Sequence, residues 1–171
     1  MEKIYWSLLS NNEWQMYIAA TEKGLCYVGS QNQPFSELLQ WVAKKYPTVE
    51  LEEGEAYLEP YKKELIEYLS GARQTFTIAF DYSGTVFQQA VWEALAAIPY
   101  GTTMGYAEIA TKINKPKSVR AVGTAIGANP ILIVVPCHRV IGKNGKLTGY
   151  RGGLEMKEKL LQLEKNLLVN R

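Results

Sequence analysis

A run of five apolar residues, Ile131–Val135, leads directly into the segment Pro136–Val140 (PCHRV), and this junction constrains the fold more than any other stretch. Most of the run is β-branched and it is too short for a helix, which predicts a buried strand. Proline has no N–H to donate, so we expect the strand to end at Pro136. Cys137 would then leave the core on a rigid element, beside the only histidine of the chain.

A thiol held next to a titratable base is a candidate nucleophile, because the base assists formation of the reactive thiolate. The alternative is a buried cysteine that packs as a small apolar residue. Two features favour the nucleophile: the sole histidine, His138, is used here, and a basic, glycine-rich segment follows. We therefore take Cys137 and His138 as a candidate catalytic pair.

Length and composition bound the class of protein. The 171 residues, 47% of them apolar and 21% charged, suffice for one domain or two small ones. We expect no signal peptide, no membrane span and a cytoplasmic protein. The two cysteines, Cys26 and Cys137, are more simply reduced, although counting does not exclude a disulfide. One histidine and two distant cysteines give no zinc spacing, so we expect no metal and no other cofactor.

Charge is divided unevenly along the chain. Residues 1–82 contain 7 Lys or Arg and 12 Asp or Glu, a net charge of −5; residues 83–171 contain 12 and 5, a net charge of +7. A basic half indicates a polyanionic partner, although a solvated basic face would carry the same charge. The sign changes at Asp81–Gly84, which we take as the linker between an N-terminal α/β domain (1–82) and a C-terminal domain (83–171).

The acidic half has the pattern of a small α+β unit without evident chemistry. The predicted strands are Trp14–Ala20, Leu25–Val28 and Gln74–Phe80, the first two joined by a hairpin. The predicted helices are Pro34–Tyr46 and Leu58–Leu69. Residues 50–56 are predicted to form a loop.

The basic half is predicted to be mainly helical. The predicted helices are Thr85–Ile98, Thr103–Ile113, Ser118–Gly127 and Leu154–Leu167. The second and third are separated by a short turn, which is typical of a helix-turn-helix. Asn144-Gly145 is a hairpin signal, so a basic wing would follow. In the last helix we expect Lys157 and Lys159 to face solvent.

The helix after Ser118 carries one arginine, Arg120, among small residues. It lacks the side chains that read base edges, so sequence-specific DNA readout is not indicated. Small residues let a helix approach either a packing partner or a DNA groove, and both alternatives stay open.

The combination of three motifs resembles a known family, the O6-alkylguanine-DNA alkyltransferases (methylated-DNA–protein-cysteine methyltransferases). The motifs are Arg120–Gly123 with Asn129-Pro130, Pro136–Val140, and Gly149–Gly153. The resemblance is to the short, stand-alone bacterial type. It implies an α+β fold: a small N-terminal α/β domain with a short antiparallel sheet, then a mainly helical, winged-helix-like DNA-binding and catalytic domain. It also implies a monomer that acts on double-stranded DNA containing O6-alkylguanine without a cofactor.

The resemblance further implies roles for individual residues. Cys137 would attack the alkyl carbon on guanine O6 and keep the alkyl group, in one irreversible turnover. His138 would act as base through a bridging water, with Glu164 orienting the imidazole, and Tyr106 would donate a hydrogen bond to the guanine. The site that reads the base edge would consist of Val140, Tyr150 and Arg151. Many relatives have serine where Arg151 stands, so a hydroxyl contact would be lost here.

A base inside a duplex hides its O6 atom, so the lesion would have to rotate out of the stack. The resemblance gives Arg120 the task of filling the vacated space, with Ala121 and Gly123 close to the minor groove and Asn129 bracing the following turn. Three other classes stay open: a lesion-binding relative without a nucleophile, a cysteine hydrolase, and a winged-helix transcription factor. Repair of O4-alkylthymine is also left open.

Overall fold

The computed structural model describes residues 2–169, with side chains described up to residue 167. The chain divides into two compact units, Met1–Tyr82 and Ser83–Arg171. The outermost residues of the two predicted domains, residue 1 and residues 170–171, lie outside the described part. Among the described helices, none is long and apolar enough to cross a membrane.

The first unit is built on a four-stranded sheet of β1 (Lys3–Asn11), β2 (Trp14–Thr21), β3 (Gly24–Val28) and β4 (Glu50–Glu53). The strand order is β3-β2-β1-β4, with β4 parallel to β1 and the other pairs antiparallel. The predicted β2–β3 hairpin is confirmed, whereas β1 was not predicted. The predicted loop at 50–56 is wrong in part: Leu51 packs on the core between exposed glutamates, which suits a short edge strand.

Two helices complete this unit, α1 (Phe35–Lys45) and α2 (Glu55–Leu69), and both were predicted. The predicted strand Gln74–Phe80 is wrong. Its burial does alternate, but the backbone N–H groups of Thr77 and Ile78 donate to the Glu64 carboxylate, at 2.7 and 3.3 Å, rather than to a neighbouring strand. Only Phe80 forms a bridge, with Leu25.

Cys26 lies in the core of the first unit as a free thiol. Burial raises its pKa strongly, and the nearby Asp81 carboxylate raises it further. A thiol in such surroundings stays protonated and unreactive. Cys26 therefore fits the interpretation of a small apolar residue.

Within its described residues, the second unit contains four α-helices and two very short strands. They are α3 (Val86–Ala96), β5 (Met104–Gly105), α4 (Tyr106–Lys112), α5 (Val119–Gly127), β6 (Val140–Ile141) and α6 (Leu154–Val169). The first three helices pack on one another, and the Trp92 indole donates to the Ala125 carbonyl at 2.9 Å. α4 begins at Tyr106 rather than Thr103, because Met104–Gly105 pairs in parallel with β6. The α+β fold class is confirmed.

The predicted strand Ile131–Val135 is wrong. All five residues are buried, but they form a turn in which Val135 N–H donates to the Ile131 carbonyl at 3.1 Å. Ile133 has φ 73°, a left-handed conformation that is strained for a β-branched residue. The Asn129 side chain closes the turn by accepting from Ile131 N–H at 3.0 Å and donating to the Val135 carbonyl at 2.9 Å. The apolar run predicted the burial of these residues correctly, but it did not predict their backbone conformation.

The Asn144-Gly145 turn has the left-handed conformation that this dipeptide favours, with φ values of 62° and 75°. Gly142 N–H donates to the Lys146 carbonyl at 2.8 Å across it. Within the described residues 140–150 no second strand pairs with β6 across this turn, because β6 pairs with β5 instead. A winged-helix architecture therefore stays a prediction.

Candidate active site

Cys137 begins a single 3-10 turn, Cys137–Arg139, that follows the buried turn directly. Its side chain is buried, with 3% of the residue exposed. The Asn129 amide donates to Sγ at 3.2 Å as well as to the Val135 carbonyl. Asn129 thus braces the turn, as predicted from the resemblance, and it also contacts the thiol, which was not predicted.

The surroundings of the thiol act on its pKa in opposite directions. Burial dominates and raises the pKa of Cys137, and the Asn129 amide and the positive charges of Arg151 and Lys157 offset only part of that rise. The donor and the two cations favour the thiolate, in contrast to the environment of Cys26. Cys137 therefore keeps a raised pKa at rest, but unlike Cys26 it has a side-chain donor and two cations that would stabilise its thiolate.

His138 is wholly buried, and its Nε2 atom lies 2.7 Å from Oε2 of Glu164 in α6. Burial alone would raise the pKa of Glu164, but hydrogen bonds from His138 and Arg139 outweigh it and lower the pKa to about 2. A carboxylate only accepts hydrogen bonds, so Nε2 carries the proton and the lone pair is on Nδ1. Burial also lowers the pKa of His138, which keeps the imidazole neutral.

Arg139 belongs to the site, although the sequence analysis gave it no role. It is buried, and its guanidinium donates to Glu164 and to the Ile98 carbonyl, the latter at 2.7 Å. The Tyr100 ring lies against it, with 5.6 Å between the guanidinium carbon and the ring centroid. The signal that could have found it is its place in the PCHRV segment, next to His138.

Lys157 was predicted to face solvent, and this is wrong. The residue is 1% exposed, and its ammonium donates to the Val140 carbonyl at 2.6 Å and the Thr148 carbonyl at 3.2 Å. Burial lowers its pKa and the neighbouring Cys137 raises it. Lys157 therefore joins two segments of the site and places a positive charge close to the thiol.

Tyr106 is the first residue of α4, and its hydroxyl lies 2.7 Å from Oγ1 of Thr148. Gly123 of α5 faces the Tyr106 ring, and a Cβ atom added there would lie 3.7 Å from the ring. That distance is an ordinary contact, so alanine would fit there as well. Gly123 therefore lies against the Tyr106 ring of α4.

The three residues predicted to read the base edge are Val140, Tyr150 and Arg151. Val140 is wholly buried and its carbonyl is taken by Lys157. Arg151 donates to the carbonyls of Asn129 and Pro130, at 3.0 and 3.1 Å. The Tyr150 hydroxyl is buried without a hydrogen-bond partner among the described residues, and burial followed by the charge of Cys137 raises its pKa.

Arg120 and Ala121 lie on the exposed face of α5 and are not part of the buried relay formed by Cys137, His138 and Glu164. Exposed lysines surround this helix and the Asn144 turn: Lys112, Lys115, Lys117, Lys143 and Lys146. A cleft of about 520 Å³ between β5, the start of α4 and the Gly142–Gly145 loop includes Tyr106 and Lys143 in its lining. Within residues 2–169, no group of three or more His, Cys, Asp or Glu side chains is placed to hold a metal ion.

Comparison with family models gives a match for each unit. The model of the 6-O-methylguanine DNA methyltransferase ribonuclease-like domain matches residues 4–82. The model of the 6-O-methylguanine DNA methyltransferase DNA binding domain matches residues 86–166.

Individual relatives and solved structures agree with these matches. The chain is 60% identical over 162 residues to the inducible methylated-DNA–protein-cysteine methyltransferase of Bacillus subtilis, across 95% of this chain and 90% of the relative. It resembles the crystal structure of the Mycobacterium tuberculosis O6-methylguanine methyltransferase with a TM-score of 0.82 and 37% identity, across 95% and 93% of the chains. A structure of Mycobacterium tuberculosis OGT in complex with DNA matches with the same TM-score and identity, across 95% and 94%. The chain therefore belongs to the methylated-DNA–protein-cysteine methyltransferase family, as the sequence motifs predicted.

Proposed function

We propose that this protein repairs DNA by transferring the alkyl group of O6-alkylguanine to its own Cys137. The observation that carries the proposal is a buried thiol followed directly in the chain by a neutral imidazole, whose Nε2 atom is bound to an ionised carboxylate. This is the arrangement by which a base activates a nucleophile. Membership of the methyltransferase family supports the same reaction.

The proposed step is an in-line displacement at the alkyl carbon. Nδ1 of His138 accepts the thiol proton through a bridging water, and Glu164 holds the resulting imidazolium. The sulfur forms a bond to the alkyl carbon as the bond from that carbon to guanine O6 breaks. The electron pair of the broken bond goes to the purine, which takes up a proton, so the products are guanine and an S-alkyl cysteine. A thioether has no activated bond for water to attack, so one molecule repairs one lesion.

We propose that the base is held by Tyr106, Val140, Tyr150 and Arg151. When Tyr106 accepts the hydrogen bond of the Thr148 hydroxyl, its own O–H can donate to the guanine as negative charge develops there. Because the Arg151 side chain is engaged with backbone carbonyls, any contact to the base from that residue would come from its backbone.

We propose that the exposed face of α5 carries the DNA. Arg120 would fill the space that the extruded base leaves, while Ala121 and Gly123 keep this part of the helix slim enough for a minor groove. The surrounding lysines would contact phosphates without regard to sequence. Repair needs such sequence tolerance, and this disfavours a transcription factor. The presence of Cys137 disfavours a lesion-binding relative without a nucleophile.

All residues assigned here lie in residues 83–171, which we propose as the DNA-binding and catalytic domain, with 1–82 as a separate N-terminal domain. Since acceptor, base and DNA face belong to one chain, we propose that it acts as a monomer. A thiol acceptor has to stay reduced, which favours the cytoplasm.

The test is mass spectrometry of the protein after mixing with excess duplex DNA that contains O6-methylguanine. We expect a gain of about 14 Da per molecule, one methyl group in place of a hydrogen, on the peptide that contains Cys137. Cys26→Ala, the matched control, should react like the parent protein, and Cys137→Ala should not react. Sustained turnover, or methylation that survives Cys137→Ala, would contradict the proposal.

A further inference from the structure

We infer that Arg139 is a positioning residue for methyl transfer: it fixes the Glu164 carboxylate and balances its charge, so that His138 remains a neutral base. The inference rests on the proposed function, since it assigns His138 the proton of Cys137. It goes further in making a fourth residue, Arg139, a determinant of the protonation state of the relay formed by Cys137, His138 and Glu164.

The first step of the argument is that four donors occupy the Glu164 carboxylate. Oε2 accepts from Nη2 of Arg139 at 2.9 Å and from Nε2 of His138 at 2.7 Å. Oε1 accepts from Nε of Arg139 at 2.9 Å and from the Gly101 N–H at 3.1 Å. A carboxylate has about four lone-pair sites, so a proton on Glu164 would have to displace one of these donors. The group is therefore held as an anion.

The second step concerns the shared oxygen. Because Arg139 and His138 both bind Oε2, the guanidinium determines where that oxygen lies and how much negative charge the imidazole meets. The guanidinium is itself anchored by the Ile98 carbonyl at 2.7 Å and lies over the Tyr100 ring. An arginine fork with such partners orients a carboxylate far more strictly than a lysine would.

The third step is the charge balance at His138. Glu164 from α6 favours the imidazolium, whereas Arg139 in the same turn and Lys157 from α6 disfavour it, and burial disfavours it most. Cys137 lies next to His138 in the same turn, and the Tyr100 ring lies against Arg139. Without Arg139, an uncompensated buried carboxylate would face the imidazole, and the pair would relax to imidazolium and carboxylate. An imidazolium has no lone pair on Nδ1, so it cannot accept the thiol proton.

The test follows His138 directly, because it is the only histidine of the chain and gives an isolated imidazole signal in NMR spectra. In the parent protein at pH 7 we expect the ¹⁵N shifts of a neutral ring protonated on Nε2. In Arg139→Met, which keeps an unbranched apolar side chain and removes the guanidinium charge, we expect the titration midpoint to rise by about one pH unit or more. In Arg139→Lys, which keeps the charge, the midpoint should stay closer to that of the parent.

Arg73→Met is the matched control, because Arg73 pairs with two glutamates, Glu64 and Glu67, within the first unit. It should leave the His138 titration unchanged. If Arg139→Met does not fold, Arg139→Gln removes the same charge and retains hydrogen bonding. An unchanged His138 midpoint in a folded, uncharged variant at position 139 would overturn the inference.

The pH profile of methyl transfer supplies a second readout. With His138 neutral in the parent, the acidic limb of the rate profile should move to higher pH in Arg139→Met, in step with the NMR midpoint. A purely structural role would lower the rate at every pH and leave the limb in place, which would contradict the inference. Because the NMR titration needs no methyl transfer, failure of the proposed function can be distinguished from failure of this inference.

Discussion

At the scale of the residue, two cations, Arg151 and Lys157, act on the Cys137 thiol, which has to lose its proton in the proposed reaction. The Lys157 ammonium is held between the Val140 and Thr148 carbonyls, and its charge lowers the pKa of Cys137. An unperturbed thiol, with a pKa of about 8.5, is only a few per cent thiolate at pH 7, so each unit of pKa changes reactivity about tenfold. We therefore propose that Lys157 promotes formation of the thiolate without being the base.

We predict that Lys157→Met slows methyl transfer at pH 7 about tenfold and raises the pKa of Cys137, because a positive charge near the sulfur is lost. The pKa is measured as the pH dependence of Cys137 alkylation by iodoacetamide. Lys159→Met is the control on the same helix, since that ammonium pairs with exposed Glu155 at 3.8 Å. Equal thiol pKa values in Lys157→Met and the parent protein would exclude this role.

The sequence predicted which residues meet at this site better than it predicted their electrostatics. Cys137 and His138 were proposed from adjacency and Glu164 from the family resemblance, and the structure places His138 and Glu164 in contact. Lys157 was missed because helical periodicity assigns every lysine to the solvent-exposed face. Here two backbone carbonyls accept hydrogen bonds from its ammonium and so compensate for its burial. Those carbonyls come from loops whose positions only the tertiary fold determines.

At the scale of the element, the two faces of α5 differ: one packs in the core and the other is exposed. Val122, Ala125 and Ile126 are buried, while Arg120 and Ala121 face outward. The amphipathic pattern made this helix predictable. The buried turn at Ile131–Val135 was not, because a short apolar run indicates burial but does not distinguish a strand from a turn closed by the Asn129 side chain.

We predict that Arg120→Ala weakens repair of duplex DNA far more than reaction with the free base O6-methylguanine, because only the duplex requires base extrusion. A loss of tenfold or more on duplex DNA, with less than threefold on the base, is roughly what removal of an inserted side chain should give. Rates on both substrates are compared by single-turnover kinetics. Lys117→Ala removes an exposed cation just before the same helix and should reduce duplex binding only slightly. Equal losses on both substrates in Arg120→Ala would remove the assignment.

At the scale of the whole molecule, the relay also contributes to stability. Glu164 connects α6 to the Gly101 N–H and to the Cys137–Arg139 turn, so its ionisation is linked to folding of the second unit. The folded-state pKa of about 2 lies below the ordinary value of 4.5. The contribution, on the order of 3 kcal/mol, is present above the unfolded-state pKa and is lost as the pH falls from about 4.5 towards about 2.

We predict that in Glu164→Gln the free energy of unfolding falls less between pH 4.5 and 2 than in the parent protein. It should also be lower at neutral pH, because Arg139 then lacks its carboxylate partner. Urea unfolding at a series of pH values, followed by amide exchange in α6 peptides, measures both effects. Glu155→Gln changes an exposed carboxylate of the same helix and should keep the parental pH dependence. A parental acid limb in Glu164→Gln would show that other carboxylates determine it.

The burial of charge in the second unit has one more consequence. Among its described residues, the buried charges are two cations, Arg139 and Lys157, and one anion, Glu164. A thiolate at Cys137 completes the balance, whereas an S-methyl group is uncharged and larger than the sulfur it replaces. Reaction would therefore remove the group whose ionisation can balance the second cation, and it would add a methyl group at a buried position. A molecule that has reacted would therefore differ from an unreacted one in the charge balance and the packing of its core.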